Sequence, residues 1–163
     1  MADETFRYAL LAGLAIALVV AAGTDLASRR IANSLNAAVA LGAPLFWWAS
    51  GLSLWPDVAL QLGFAIACLA ILAALFAMRA MGGGDVKLLS ALALWIPPAL
   101  FFKLVVLMAL LGGVLTVVIA ARHLLRKRAG PVMVPYGVAI AVAGLWVIAT
   151  DFVVLPGGAQ LLG

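Results

Sequence analysis

The chain has 163 residues, of which 67% are hydrophobic and only 10% are charged. Soluble domains sit near half apolar and a quarter charged, and a core of this size cannot hide so much apolar surface, so lipid is the solvent for most of the chain. The net charge of +4 is spread as short basic groups between apolar runs, with no basic face carrying interleaved aromatics; this argues against a nucleic-acid partner and for a bilayer.

Six apolar runs follow in order. Run one extends from about Phe6 to Leu26 and closes on Gly23-Thr24-Asp25, followed by Ser28-Arg29-Arg30. Asp3 and Glu4 stand where a secretory leader has basic residues, so this run is read as a retained helix. Run two, from about Leu35 to Trp48, stops at Ser50-Gly51, and Trp47, Trp48 and Trp55 resemble an interfacial aromatic belt. Run three, from about Val58 to Met78, contains the single cysteine, Cys68, read as a small packing residue. Met81-Gly82-Gly83-Gly84-Asp85-Val86-Lys87 comes next. Run four, from about Val86 to Ile96, is short and is closed by Pro97-Pro98, since proline lacks an N–H and clashes with the preceding turn. At 1.5 Å per residue it covers ~17 Å, about half of a ~30 Å hydrocarbon core. Run five, from about Phe101 to Ala121, ends in Arg122, Arg126, Lys127 and Arg128, and run six extends from about Val132 to Val154.

The expected fold is an all-α integral membrane protein with six transmembrane helices, the fourth short. Arg29/Arg30, Arg79/Lys87 and the Arg122–Arg128 cluster occupy alternate gaps. The positive-inside rule places those gaps in the cytoplasm and both termini outside. Only six crossings satisfy it; a re-entrant fourth run would strand the last cluster on the outer face. No internal repeat or linker is visible, so residues 1–163 are read as a single membrane-embedded domain.

Acids within membrane segments are rare and usually functional. Asp25 and Asp85 stand out, whereas Asp57 and Asp151 fall near the external ends of runs and read as solvated boundary charges. Each of the two has a structural alternative: Asp25 pairing with Arg29 at i+4, Asp85 capping the fourth helix. Neither alternative explains why two acids, sixty positions apart, share one side of the membrane beside three glycines. Glycine at Gly82, Gly83 and Gly84 permits positive φ and close backbone approach. Two carboxyls within a few ångströms hold one proton between them, which is the machinery for activating water and polarising an amide carbonyl. No metal set is available, because His123 is the sole histidine and lies in a basic stretch. No cofactor is expected.

Gly82-Gly83-Gly84-Asp85 matches the Gly-x-Gly-Asp pattern of membrane aspartic proteases, and with Val86-Lys87-Leu88 it resembles the prepilin peptidase family, type IV leader peptidases in particular. Asp25-Leu26-Ala27-Ser28-Arg29-Arg30-Ile31-Ala32-Asn33 is similar to that family's first catalytic segment, with Ala32 where the family usually has proline. Val134-Pro135-Tyr136-Gly137-Val138-Ala139 resembles the segment opening the last helix. The resemblance implies an aspartic endopeptidase of the bacterial inner membrane with catalytic Asp25 and Asp85, facing the cytoplasm. It implies a pilin-like precursor with a short basic leader, cut after glycine. Lys87 would orient Asp85 or a substrate acid, or else snorkel as a topological charge. Longer family members carry an N-terminal zinc-binding cysteine tetrad and methylate the new N-terminus; the expectation here is no such region, as in the compact tight-adherence pilus branch, with methylation open. The alternative reading is a small ion- or proton-coupled carrier using the same two aspartates. Oligomeric state is not legible.

Overall fold

The computed structural model describes residues 2–125 and 134–154. They form six α-helices and no strand: α1 (Ala2–Ser28), α2 (Asn33–Ala49), α3 (Ala59–Ala77), α4 (Gly83–Leu92), α5 (Pro98–Leu125) and α6 (Tyr136–Val147). A kinked segment, Leu54–Val58, with Trp55 extended (φ −137°, ψ 127°), precedes α3, and a widened segment, Ile148–Val154, prolongs α6. Four stretches are long and apolar enough to cross a bilayer: Glu4–Ser28, Leu54–Ala77, Pro98–Leu125 and Tyr136–Val153. Ile16, Val19, Leu60, Ile66, Leu110 and Val117 point outward. A surface this apolar is stable in lipid and not in water, so the chain is a membrane protein.

The short helix is the enclosed one. Val86, Leu88, Leu89, Ala91 and Leu92 of α4 are all buried, and α4 packs against α2, α3 and α6. On α1, Leu11, Leu14, Leu18, Ala21 and Asp25 are buried, in alternating steps of three and four residues. That spacing draws one stripe down a helix, and Asp25 continues an otherwise apolar stripe. The stripe faces α6 through small residues. A Cβ on Gly144 would come within 2.9 Å of Leu18 Cδ1, and a Cβ on Gly137 within 2.9 Å of Asp25 Oδ2. Leu18 and Asp25 are two helical turns apart, as are Gly144 and Gly137, so the two helices interlock at both levels.

Polar groups without water must find partners inside the bundle. After α4 the chain turns through Ala93–Pro97, which leaves carbonyls free. Gln61 Nε2 donates to Ala93 O (2.7 Å) and Ile96 O (2.9 Å), and Trp47 Nε1 donates to Leu94 O (2.8 Å). Trp95 Nε1 in turn donates to Val39 O at 2.7 Å. Replacing Gln61 with leucine strands two buried carbonyls. Gln61→Leu is expected to cost about 2 kcal/mol, read as a lower unfolding midpoint in detergent, while a substitution at exposed Leu60 leaves it unchanged.

Several expectations change. Trp47 is buried and serves the core; of the three tryptophans, Trp48 and Trp55 are the exposed ones. Pro97-Pro98 does not end run four: α4 ends at Leu92, and Pro98 opens α5, where a missing N–H is harmless. Asp151 is not a solvated boundary charge, because Lys103 Nζ of α5 lies 2.7 Å from its Oδ2 and neutralises it. Asp57 accepts bonds from the Ser53 N–H (3.0 Å) and Oγ (2.7 Å) ahead of α3. Positive φ falls at Arg29 (55°) and Arg79 (59°), and among the described glycines only at Gly51. The backbone freedom expected of Gly82–Gly84 is not used; their closeness to neighbours is.

Candidate active site

Asp25 sits in the last turn of α1. The helix is closed one turn later, where left-handed Arg29 returns its N–H to Asp25 O at 3.0 Å. Asp85 sits in the first turn of α4, whose N-cap is Gly82. It is the third residue of that helix and not its N-cap. One carboxyl therefore closes a helix and the other opens one. Together with Arg29–Asn33 and Gly82–Gly84 they line one cavity of about 390 Å³. Residues sixty positions apart thus face a shared space.

The surroundings of the two acids differ. Asp25 is 6% exposed and its Oδ2 is buried with no hydrogen-bond partner. An unpaired buried carboxyl oxygen is costly unless water, a proton or a ligand completes it. Asp85 is more open, and its Oδ2 lies 3.0 Å from where a Gly82 Cβ would be. Gly84 brings the start of α4 against Ile31, whose Cβ would be 3.4 Å from a Gly84 Cβ, and Gly83 accommodates the Phe76 ring at 3.2 Å. Gly82 thus leaves room for the Asp85 carboxyl itself, and Gly83 and Gly84 let Phe76 and Ile31 pack against the start of α4.

Lys87 is engaged away from both acids. Its Nζ donates to Asn33 Oδ1 at 2.8 Å. Asn33 is the first residue of α2 and also lines the carboxyl cavity, so this bond ties the start of α4 to the start of α2 beside the site. Asn33 and Ile31 are site neighbours that residue-type reasoning did not single out as such, and Gly137 is the most consequential of those it missed. Nothing in a glycine's own chemistry marks it; the signal was the seven-residue step from Gly137 to Gly144 matching Asp25 and Leu18. Among the described residues no group of three metal-ligating side chains occurs.

If the two carboxyls share that cavity, cysteines in their places should be joined by a short bifunctional thiol reagent. In a Cys68→Ser background, Asp25→Cys/Asp85→Cys should give an intramolecular crosslink, identified by peptide mass. Only intermolecular adducts would argue against the shared space.

The bundle defines a class: a helical membrane protein whose polar site is a cavity faced by two carboxyls from different helices. Residues 12–121, about two thirds of the chain, match the family model described as the type IV leader peptidase family. The chain belongs to the type IV leader peptidase family. The match includes both aspartates and the glycine run; the Val134–Ala139 segment lies beyond it. Neither a search of curated proteins nor one of solved structures returned a match.

Proposed function

We propose that the protein is an aspartic endopeptidase that removes the basic leader of a pilin-like precursor at the cytoplasmic face of the bacterial inner membrane. The observation that carries this reading is the cavity shared by Asp25 and Asp85. One membrane-embedded domain suffices for it, with six crossings and both termini outside. The basic residues Arg29, Arg30, Arg79 and Lys87 then fall on the cytoplasmic side, the side on which a basic leader is retained.

The chemistry needs no covalent intermediate. A water held between the carboxyls attacks the scissile carbonyl carbon; the ionised carboxylate takes its proton, and the protonated carboxyl donates to the carbonyl oxygen. The resulting gem-diol collapses as the C–N bond breaks. The amine leaves with a proton returned from the pair, and the second carboxyl regains its own. Asp25 lines the cavity that would hold that water, with its Oδ2 buried against Gly137. Gly82–Gly84 let an extended substrate backbone approach Asp85, and Lys87 acts as a positioning residue through Asn33.

The test is direct. Purified protein in detergent or liposomes is incubated with a precursor carrying a basic leader, a glycine and an apolar run. The expected product is shortened by the leader, with a new N-terminus immediately after glycine. An intact precursor, together with proton or cation flux in the same liposomes, would replace the peptidase reading with the carrier. Mass analysis of the new N-terminus with a methyl donor present also decides whether methylation accompanies cleavage.

A further inference from the structure

Helices α3 and α5 diverge. Near the far end of the bundle they touch, Phe64 meeting Phe101 edge-on with ring centroids 5.4 Å apart. Elsewhere α3 packs mainly on α4, and α5 on α6. From Phe64 to Phe76, α3 rises about 18 Å, and by that level a cavity of about 1050 Å³ separates it from α5 and α6. Phe76, Arg79, Met108 and Tyr136 line it, and it reaches Asp85.

The walls are shaped. The Phe76 ring lies over Gly83, which has no Cβ to push it away. Tyr136 is seated against α5 in the same manner, since a Cβ on Gly112 would fall 2.9 Å from its ring, and its hydroxyl lies 3.4 Å from Thr116 Oγ1. Two aromatic rings are thus held back on opposite sides of the opening. Met108 supplies an adaptable apolar surface between them.

Size indicates the occupant. A helix 10–12 Å wide with a 5.4 Å pitch occupies roughly 420–610 Å³ per turn. The cavity volume therefore equals that of about two turns. We infer that the divergence of α3 and α5 is the lateral docking site for the first two turns of the substrate's apolar helix, placing the leader–helix junction against Asp85. This rests on the peptidase reading above and adds the route and the contact surface. A helix arriving from lipid needs no passage through water, and the bond just ahead of its first turn, outside the helical hydrogen-bond ladder, is the one left extended for attack.

Two measurements test it. A photoreactive residue is placed in the first two turns of the precursor's apolar helix, and the precursor is bound to the full chain carrying Asp85→Asn. Crosslinks are expected on Phe76, Met108 and Tyr136. Crosslinks on Leu62, Ala65 or Leu69, which line a separate groove between α2, α3 and α4, overturn the inference. Independently, Ala80→Trp fills the cavity wall and should raise KM for the precursor about tenfold with a smaller change in kcat. Ala37→Trp, in the separate groove, should leave KM unchanged. Equal effects from the two variants, or a loss confined to kcat, count against docking here. If wild-type protein does not cut the precursor at all, the peptidase reading falls and the inference with it. If it cuts while the crosslinks map elsewhere, the docking site alone falls.

Discussion

Asp25→Asn and Asp85→Asn are each expected to lower precursor cleavage by about 10³-fold or more, with the protein still folded and inserted. The size follows from what asparagine lacks. It cannot take a proton from water, and as a neutral amide it cannot cycle a proton between water and leaving amine. Each substitution is nearly isosteric, so packing around Leu18, Ile31 and Gly137 should survive. If the two groups act on one proton, as proposed, the double variant should be no slower than either single one. A pair of this kind also fixes the shape of the pH profile. Activity falls in acid, when both carboxyls are protonated and none can act as base. It falls again in alkali, when both are ionised and none can donate. A profile with a single limb, or cleavage persisting at a tenth of wild type in either variant, would dismiss the dyad.

Gly137→Ala should also lower activity, by less, although no reacting atom is changed. The added Cβ would fall 2.9 Å from Asp25 Oδ2, 3.0 Å from Asp25 Cγ and 2.9 Å from Ile31 Cδ1. All three are side-chain atoms and the carboxyl is buried, so the relief includes a displacement of the Asp25 carboxyl together with the Ile31 side chain. A shift of about 1 Å in a catalytic group can cost ~10²-fold, and a loss of that order in kcat is expected. Gly144→Ala provides the comparison. Its Cβ would meet the end of the Leu18 side chain at 2.9 Å, in the same interface but two turns from the site. It should lower thermal stability with activity per folded molecule retained. If the two alanines affect kcat equally, Gly137 is a packing glycine and has no special bearing on Asp25.

These comparisons indicate what a sequence carries. Long apolar runs are written in composition, so the helices through Leu18, Phe64, Met108 and Ile140 could be read directly. Asp25 and Asp85 were also legible, because a charge in an apolar setting is conspicuous wherever the chain takes it. Short-range boundaries were less so. Pro97-Pro98 looks identical as the end of one helix or the start of the next, and only the carbonyls satisfied by Gln61 and Trp47 reveal that α4 stops earlier. Contacts between distant elements were not legible. Lys103 with Asp151, Lys87 with Asn33, and Asp25 over Gly137 are products of helix packing, and none leaves a local pattern in the chain.

The left-handed arginines have a further consequence. Arg29 and Arg79 occupy backbone conformations that glycine adopts freely and that cost other residues roughly 1–2 kcal/mol. Both follow a helix that runs toward the carboxyl end, and glycine in either place would relieve the backbone strain. On the orientation proposed above, those same two side chains help to hold that end in the cytoplasm. The protein would then carry a standing strain at two helix ends to keep its direction in the membrane, and Arg79→Gly would yield a chain that is sturdier once inserted yet more often inserted backwards.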